Sequence, residues 1–143
     1  MFEEMKVEDA NLISPLIWAY VGDAVYELYI RSHLVKTTKL KPHKLHIEAI
    51  KYVKASAQAN ILKNMDNFFT EEEKEIIRRA RNTKNHHVAK NAEVEDYRYS
   101  TAFEGLIGYL YLSGKNKRLE EILNNIIRNI DITKKSIYNK QAN

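Results

Sequence analysis

Residues 20–30 read YVGDAVYELYI. The apolar side chains of this run recur at helical spacing, yet a glycine and a carboxylate stand in its middle. Glycine inside a helix costs about 1 kcal/mol relative to alanine, and a carboxylate on a buried face must give up water. Gly22 and Asp23 therefore need a reason to be there, and the reason lies elsewhere in the chain.

Working outward, Ser14-Pro15 is a helix start, with serine as N-cap and proline at the first helical position. The helix that follows is predicted over 15–33. Residues 31–41 (RSHLVKTTKLK) form a basic connection, and Pro42 opens a second helix over 42–64. Its apolar positions Leu45, Ala49, Tyr52, Val53, Ala57 and Ile61 are spaced by threes and fours. Thr70 and Glu73 make a capping box, which starts a third helix running to about Arg81. A polar, basic loop covers 82–92, and a fourth helix over 93–113 stops at Gly114, a suitable C′ residue. A fifth, 116–130, repeats Leu119, Ile122, Leu123, Ile126, Ile127 and Ile130. No strand, repeat or linker pattern interrupts this. The reading is one all-α domain over 1–131, followed by a polar, flexible tail at 132–143.

A chain of 143 residues can bury a core without staples. It has no cysteine, which excludes a disulfide framework and a cysteine-based zinc site. The acidic start, MFEEMKVEDA, has no apolar core of a secretory leader, and nothing approaches the roughly 18 consecutive apolar residues of a membrane span. A cytoplasmic protein with no membrane partner is expected. Net charge is +4, and its distribution matters more than its size. Basic residues crowd 78–90 (RRARNTKNHHVAK), either a nucleic-acid contact or a solvated loop.

Three of the four glycines, Gly22, Gly105 and Gly108, fall inside predicted helices. Glycine lets a second backbone approach closely, and two of the three adjoin acids, in Gly22-Asp23 and Glu104-Gly105. The first and fourth helices are therefore expected to cross there and bring Asp23 and Glu104 together. Two carboxylates held close repel, and one resists ionising unless a cation lies between them. A hard divalent ion, Mg²⁺ or Mn²⁺, suits oxygen ligands and keeps several waters. The alternative is that Asp23 caps a helix or pairs with Arg78 or Arg98, and the glycines merely ease packing.

Tyr97, Thr101, Glu104 and Gly108 share one helical face. Thr101 is placed to bind a metal-held water or, more simply, its own helix's carbonyl. Glu27 either joins the acids or pairs with Arg31 at i+4. His43 and His46, and the adjacent His86 and His87, lack metal spacing. Tyr20, Tyr26, Tyr29, Tyr109 and Tyr111 read as core or interface aromatics, and Trp18 as either core or dimer interface.

Five stretches, AYVGDA (19–24), KPHKLH (41–46), FFTEEE (68–73), RARNTK (79–84) and YRYSTAFEGLIGYLYL (97–112), together resemble the ribonuclease III catalytic domain. The similarity is greatest to the Mini-ribonuclease III branch, which lacks the double-stranded-RNA-binding domain. It implies an all-helical, homodimeric endonuclease with one Mg²⁺-dependent site per subunit, cutting both strands of an RNA duplex. It also implies trimming of the stalk of 23S ribosomal RNA precursor, and a ribosomal protein that shapes the substrate. By position, the resemblance makes Asp23 and Glu104 the catalytic metal ligands, with Gly22 and Thr101 behind them. Full-length relatives carry further acids where this chain has Leu16, Ala19 and Thr101, substitutions shared by the Mini branch. Fewer anionic ligands imply more metal-held water.

On this reading Arg78, Arg79, Arg81 and Lys84 contact phosphates, with Lys90 and Arg98 beside them. The competing class is a non-catalytic ribonuclease III-like scaffold that binds RNA or assists ribosome assembly. Such a scaffold would need neither the acid pair nor the glycines that let it form.

Overall fold

The computed structural model describes residues 3–84 and 92–142, and every regular element among them is helical. The chain runs α1 (Val7–Leu12), α2 (Pro15–Thr37), α3 (Pro42–Val53), α4 (Ala55–Asn64), a 3₁₀ turn (Asp66–Phe68), α5 (Glu71–Asn82), α6 (Ala92–Leu112) and α7 (Asn116–Ala142). The all-α reading holds.

Helix α6 is the axis of the molecule. Ala102, Phe103, Leu106, Ile107, Tyr109 and Leu110 are all buried, so this stretch is apolar on every side. Such a helix must be surrounded, and α1, α2, α4, α5 and α7 all pack on it. The most extensive of these contacts is with α2. Helix α2 buries Trp18, Gly22, Tyr26, Ile30 and Leu34, one residue every four, as a single stripe. Across that seam Tyr26 meets Phe103 edge-on at 4.8 Å and Trp18 meets Tyr109 at 5.2 Å. Trp18 is wholly buried, so it belongs to the core.

The predicted starts and stops are present in α2, α5 and α6. Ser14 Oγ accepts from the Leu16 N–H at 3.3 Å. Thr70 and Glu73 exchange both bonds of the capping box, at 2.9 and 3.1 Å. Gly114, with φ +73°, ends α6 while the Lys115 N–H reaches back to the Leu110 carbonyl, as in a Schellman motif.

Four boundaries differ from the sequence reading. Helix α2 continues to Thr37 because no glycine or proline intervenes before Pro42 and Leu34 extends the buried stripe. The helix predicted over 42–64 is two helices, broken where Lys54 turns extended (ψ 153°). No breaker residue marks that point; the break turns Gln58, Ala59 and Leu62 of α4 into the core. Helix α7 runs on to Ala142 through the segment read as a tail, since nothing from Asn116 onward stops a helix. The short α1 was not predicted. It is tied down by tertiary bonds: Met5 N–H to the Leu112 carbonyl (2.8 Å) and Trp18 Nε1 to the Ala10 carbonyl (2.8 Å).

Candidate active site

The glycines set the site. A Cβ built on Gly22 would lie 1.7 Å from the Glu104 carbonyl oxygen, and one on Gly108 would lie 1.8 Å from the Trp18 carbonyl oxygen. Gly22 and Gly108 thus face each other where α2 crosses α6, backbone against backbone. The third glycine does a different job from the one expected. Gly105 makes room for α5, its missing Cβ falling 2.8 Å from Ala80 Cβ. Two close approaches, α2 onto α6 and α5 onto α6, therefore rest on three glycines.

The crossing puts Asp23, one residue past Gly22, beside Glu104. Glu104 is partly buried and Asp23 exposed. Burial, then the Asp23 charge, pushes the Glu104 carboxyl up to about 8, against a weaker pull from a Ser100 hydrogen bond; Glu27 adds a smaller push. Asp23 is raised too, first by burial and then by Glu27. Among the described residues no cation pairs with either acid. Glu27 is held by Arg31 at 2.8 Å, Arg78 by Glu75 at 2.9 Å, and Arg98 bonds the Arg81 carbonyl at 3.3 Å. The expected alternatives for Asp23, Arg78 and Arg98, are thus engaged elsewhere.

No group of three or more histidine, cysteine, aspartate or glutamate side chains able to hold a metal occurs among the described residues. The donor set is two carboxylates. Repelled, close and without a counter-charge, they fit a hard cation that takes its remaining ligands from water. Thr101 Oγ1 donates to the Tyr97 carbonyl at 3.0 Å, the simpler of its two expected roles. Its lone pairs are left to accept from a water.

Behind Glu104 lies a contact that sequence reading missed. Ser100 Oγ is 3.1 Å from Glu104 Oε1 and 2.5 Å from Oε1 of the fully buried Gln58. Ser100 was findable, one turn before Glu104 on the same helix. Gln58 was not, because the break at Lys54 decides which way α4 faces.

The basic residues divide. Arg79 turns inward, its guanidinium on the Asn11 carbonyl (2.9 Å) and over the Trp18 ring (4.8 Å). It clamps α5 to α1 and α2, and is committed away from any phosphate. Arg78 and Arg81, with Lys63 and Lys74, line a groove of about 450 Å³ between α4, α5 and α6. Lys63 comes from α4 and Lys74 lies one helical turn before Arg78 on α5; neither was predicted. Lys84 is exposed at the end of α5. Lys90, His86 and His87 lie outside the described residues. His43 and His46 are exposed on α3. Tyr26 and Tyr109 are core, whereas Tyr20 is 81% exposed.

A family model described as the ribonuclease III domain matches residues 16–115. A Mini-ribonuclease 3 of Brevibacillus brevis is 48% identical over 86% of this chain and 92% of its own length. One from Streptococcus pneumoniae is 46% identical over 86% and 98%. Among solved structures, a protein of Fusobacterium nucleatum superposes with a TM-score of 0.75, at 32% identity, over 87% of this chain and 98% of that one. With the matched domain spanning the Gly22–Gly108 crossing and relatives this similar over nearly their whole length, the chain belongs to the ribonuclease III family of endoribonucleases, in its Mini-ribonuclease 3 group.

Proposed function

We propose that this endoribonuclease cuts double-stranded RNA with Mg²⁺, or Mn²⁺ in its place, held by Asp23 and Glu104, and that it works as a homodimer. The observation that carries this is the acid pair at the Gly22–Gly108 crossing, brought together and left without a counter-charge. Bound there, the cation would polarise the scissile phosphate and make a water nucleophilic near neutral pH. The chain's own part is to hold and orient. Gly22 keeps α2 against α6, Asp23 and Glu104 present oxygens from two helices, and Thr101 offers its lone pairs to a water.

Duplex RNA shows its backbone and 2′-hydroxyls across a wide, shallow groove, so recognition is by shape and charge. The groove cations Arg78, Arg81, Lys63 and Lys74 suit that backbone, and we count Lys84, Lys90 and Arg98 with them on their charge and their place in the sequence. Arg79 is not among these contacts. Dimerisation is supported by α2, whose outer face exposes Ile17, Tyr20, Leu28 and Val35 along one line. Exposed apolar side chains in a row are a surface for another protein, and this row lies on the helix that carries Asp23. The substrate we assign is the stalk of 23S ribosomal RNA precursor, shaped by a ribosomal protein, in the cytoplasm.

The test is cleavage of a uniform RNA duplex in Mg²⁺ by the wild type, Asp23→Asn and Glu104→Gln, with RNA binding and oligomeric state measured for each. Wild-type cutting, with both variants binding but not cutting, is the expected result. Equal RNA binding by all three with no cutting by any would make this a scaffold and sink the proposal.

A further inference from the structure

Gln58 is an amide sealed in an apolar core. Its side chain is wholly buried, and its Nε2 has no hydrogen-bond partner among the described residues. A leucine or methionine would fill that volume without stranding an N–H, which costs on the order of a lost hydrogen bond or more. What Gln58 does touch is Ser100, at 2.5 Å, and Ser100 in turn touches Glu104 Oε1 at 3.1 Å. The three side chains form a line from the core of α4 through α6 to the carboxylate.

A hydroxyl has one proton. With the Gln58 oxygen toward Ser100, amide and carboxylate compete for that proton, and Gln58 Nε2 stays orphaned. A half-turn of the amide exchanges its oxygen and nitrogen with almost no change of shape. Nε2 then donates to Ser100 Oγ, and the Ser100 proton is free for Glu104 Oε1. Every donor in the line now points one way, toward Glu104, which is an anion once a metal replaces its proton, and each bond strengthens the next. The second setting pairs one of the two N–H groups of the buried amide and aims it, through Ser100, at the one group that benefits from a donor. No other hydrogen bond reaches the Glu104 carboxylate among the described residues, so its second oxygen is left for a ligand.

We infer that Gln58 and Ser100 are positioning residues for Glu104, the amide donating to the hydroxyl and the hydroxyl to Oε1, so that the carboxylate is held from behind in the orientation that receives the metal. This rests on the assignment of Asp23 and Glu104 as metal ligands. It gives the break at Lys54 a function, since the break is what aims Gln58 inward. It also explains how two carboxylates can serve alone: a ligand that cannot swing loses less freedom on binding.

The experiment measures Mn²⁺ alone binding to the intact protein at one fixed pH, by its spin-resonance signal, in Ser100→Ala, Gln58→Met, their double variant and Glu104→Gln. Metal-free melting and metal-free RNA binding are followed alongside. Ser100→Ala is expected to weaken Mn²⁺ binding about tenfold, the worth of one hydrogen bond to a charged group. Gln58→Met should weaken it too, and the double variant no further than Ser100→Ala, because one line is broken only once. Duplex binding should be unchanged in all. If Glu104→Gln loses Mn²⁺ while Ser100→Ala and Gln58→Met keep it, or if the two losses multiply, the inference is wrong and the metal site stands. If Glu104→Gln itself keeps wild-type affinity, the metal assignment falls and this inference with it. Should Gln58→Met not fold, Ser100→Ala, which removes one oxygen, decides.

Discussion

Gly22 on α2 and Gly108 on α6 are mutual contacts: a Cβ on either would lie 2.8 Å from the other's backbone nitrogen, and 1.7 Å (Gly22) or 1.8 Å (Gly108) from the carbonyl oxygen of Glu104 or Trp18. A flexible side chain can yield to an intruding methyl, but a carbonyl inside a helix cannot. Gly22→Ala and Gly108→Ala should each destabilise the protein by at least about 3 kcal/mol or prevent folding, the upper range for overpacking. Gly105→Ala should cost less, because it meets only the Ala80 methyl, and Ala80→Gly should recover part of the loss. Denaturant unfolding of the four variants checks this; a mild Gly22→Ala would contradict it.

Glu104 makes metal-free stability fall as pH rises. Its folded-state value of about 8 stands above the ordinary 4.5, so between those limits the native state holds a proton that the unfolded chain has lost. Stability is then full below about 4.5 and is lost as pH climbs through 8. Asp23 is shifted in the same direction and adds to the slope. The loss for the native protein should be on the order of 5 kcal/mol. Glu104→Gln should flatten the slope and melt higher than the wild type at alkaline pH. Mg²⁺ should restore the wild type by binding the native state and do little for the variant. Melting curves from pH 5 to 9 with and without Mg²⁺ separate these outcomes, and a wild type that gains stability toward pH 9 would count against the coupled pair.

Arg79 and Arg81, two positions apart, should part company on mutation. Arg79→Ala removes two hydrogen bonds to Asn11 and a stack on Trp18, and should lower stability by about 1–3 kcal/mol. Arg81→Ala and Lys74→Ala, in the groove, should leave melting unchanged but reduce the salt dependence of duplex binding by about one unit of log–log slope each. Filter binding across a salt series, paired with thermal melts, tells a clamp from a phosphate contact.

The outer face of α2 offers the test of assembly. Tyr20→Asp and Leu28→Asp change exposed side chains, 81% and 68% accessible, so neither should harm the fold of a single subunit. Sedimentation should find the wild type dimeric and both variants monomeric, with cleavage lost alongside. A wild type that sediments as a monomer at all concentrations would remove this face from the mechanism.

Local chemistry set much of the fold. Ser14-Pro15, the Thr70–Glu73 box and Gly114 sit where helices begin and end because each satisfies backbone groups within its own few residues, whatever surrounds them. The acids of the site were legible for a related reason: glycines inside helices are costly enough to signal a close approach, and Asp23 and Glu104 stand next to two of them. Tertiary packing decided the rest. It paired Gly22 with Gly108 and gave Gly105 to α5, since spacing along a helix says which face a residue is on but not which neighbour meets it. It broke the second helix at Lys54, where no residue type announces a break, and so sent Gln58 to Ser100. It turned Arg79 inward and Arg81 outward, although the two are both arginines two positions apart. Propensity and capping act over a few residues and can be read along the chain; partners distant in sequence are selected by the volume, charge and hydrogen-bonding groups that folding brings against them.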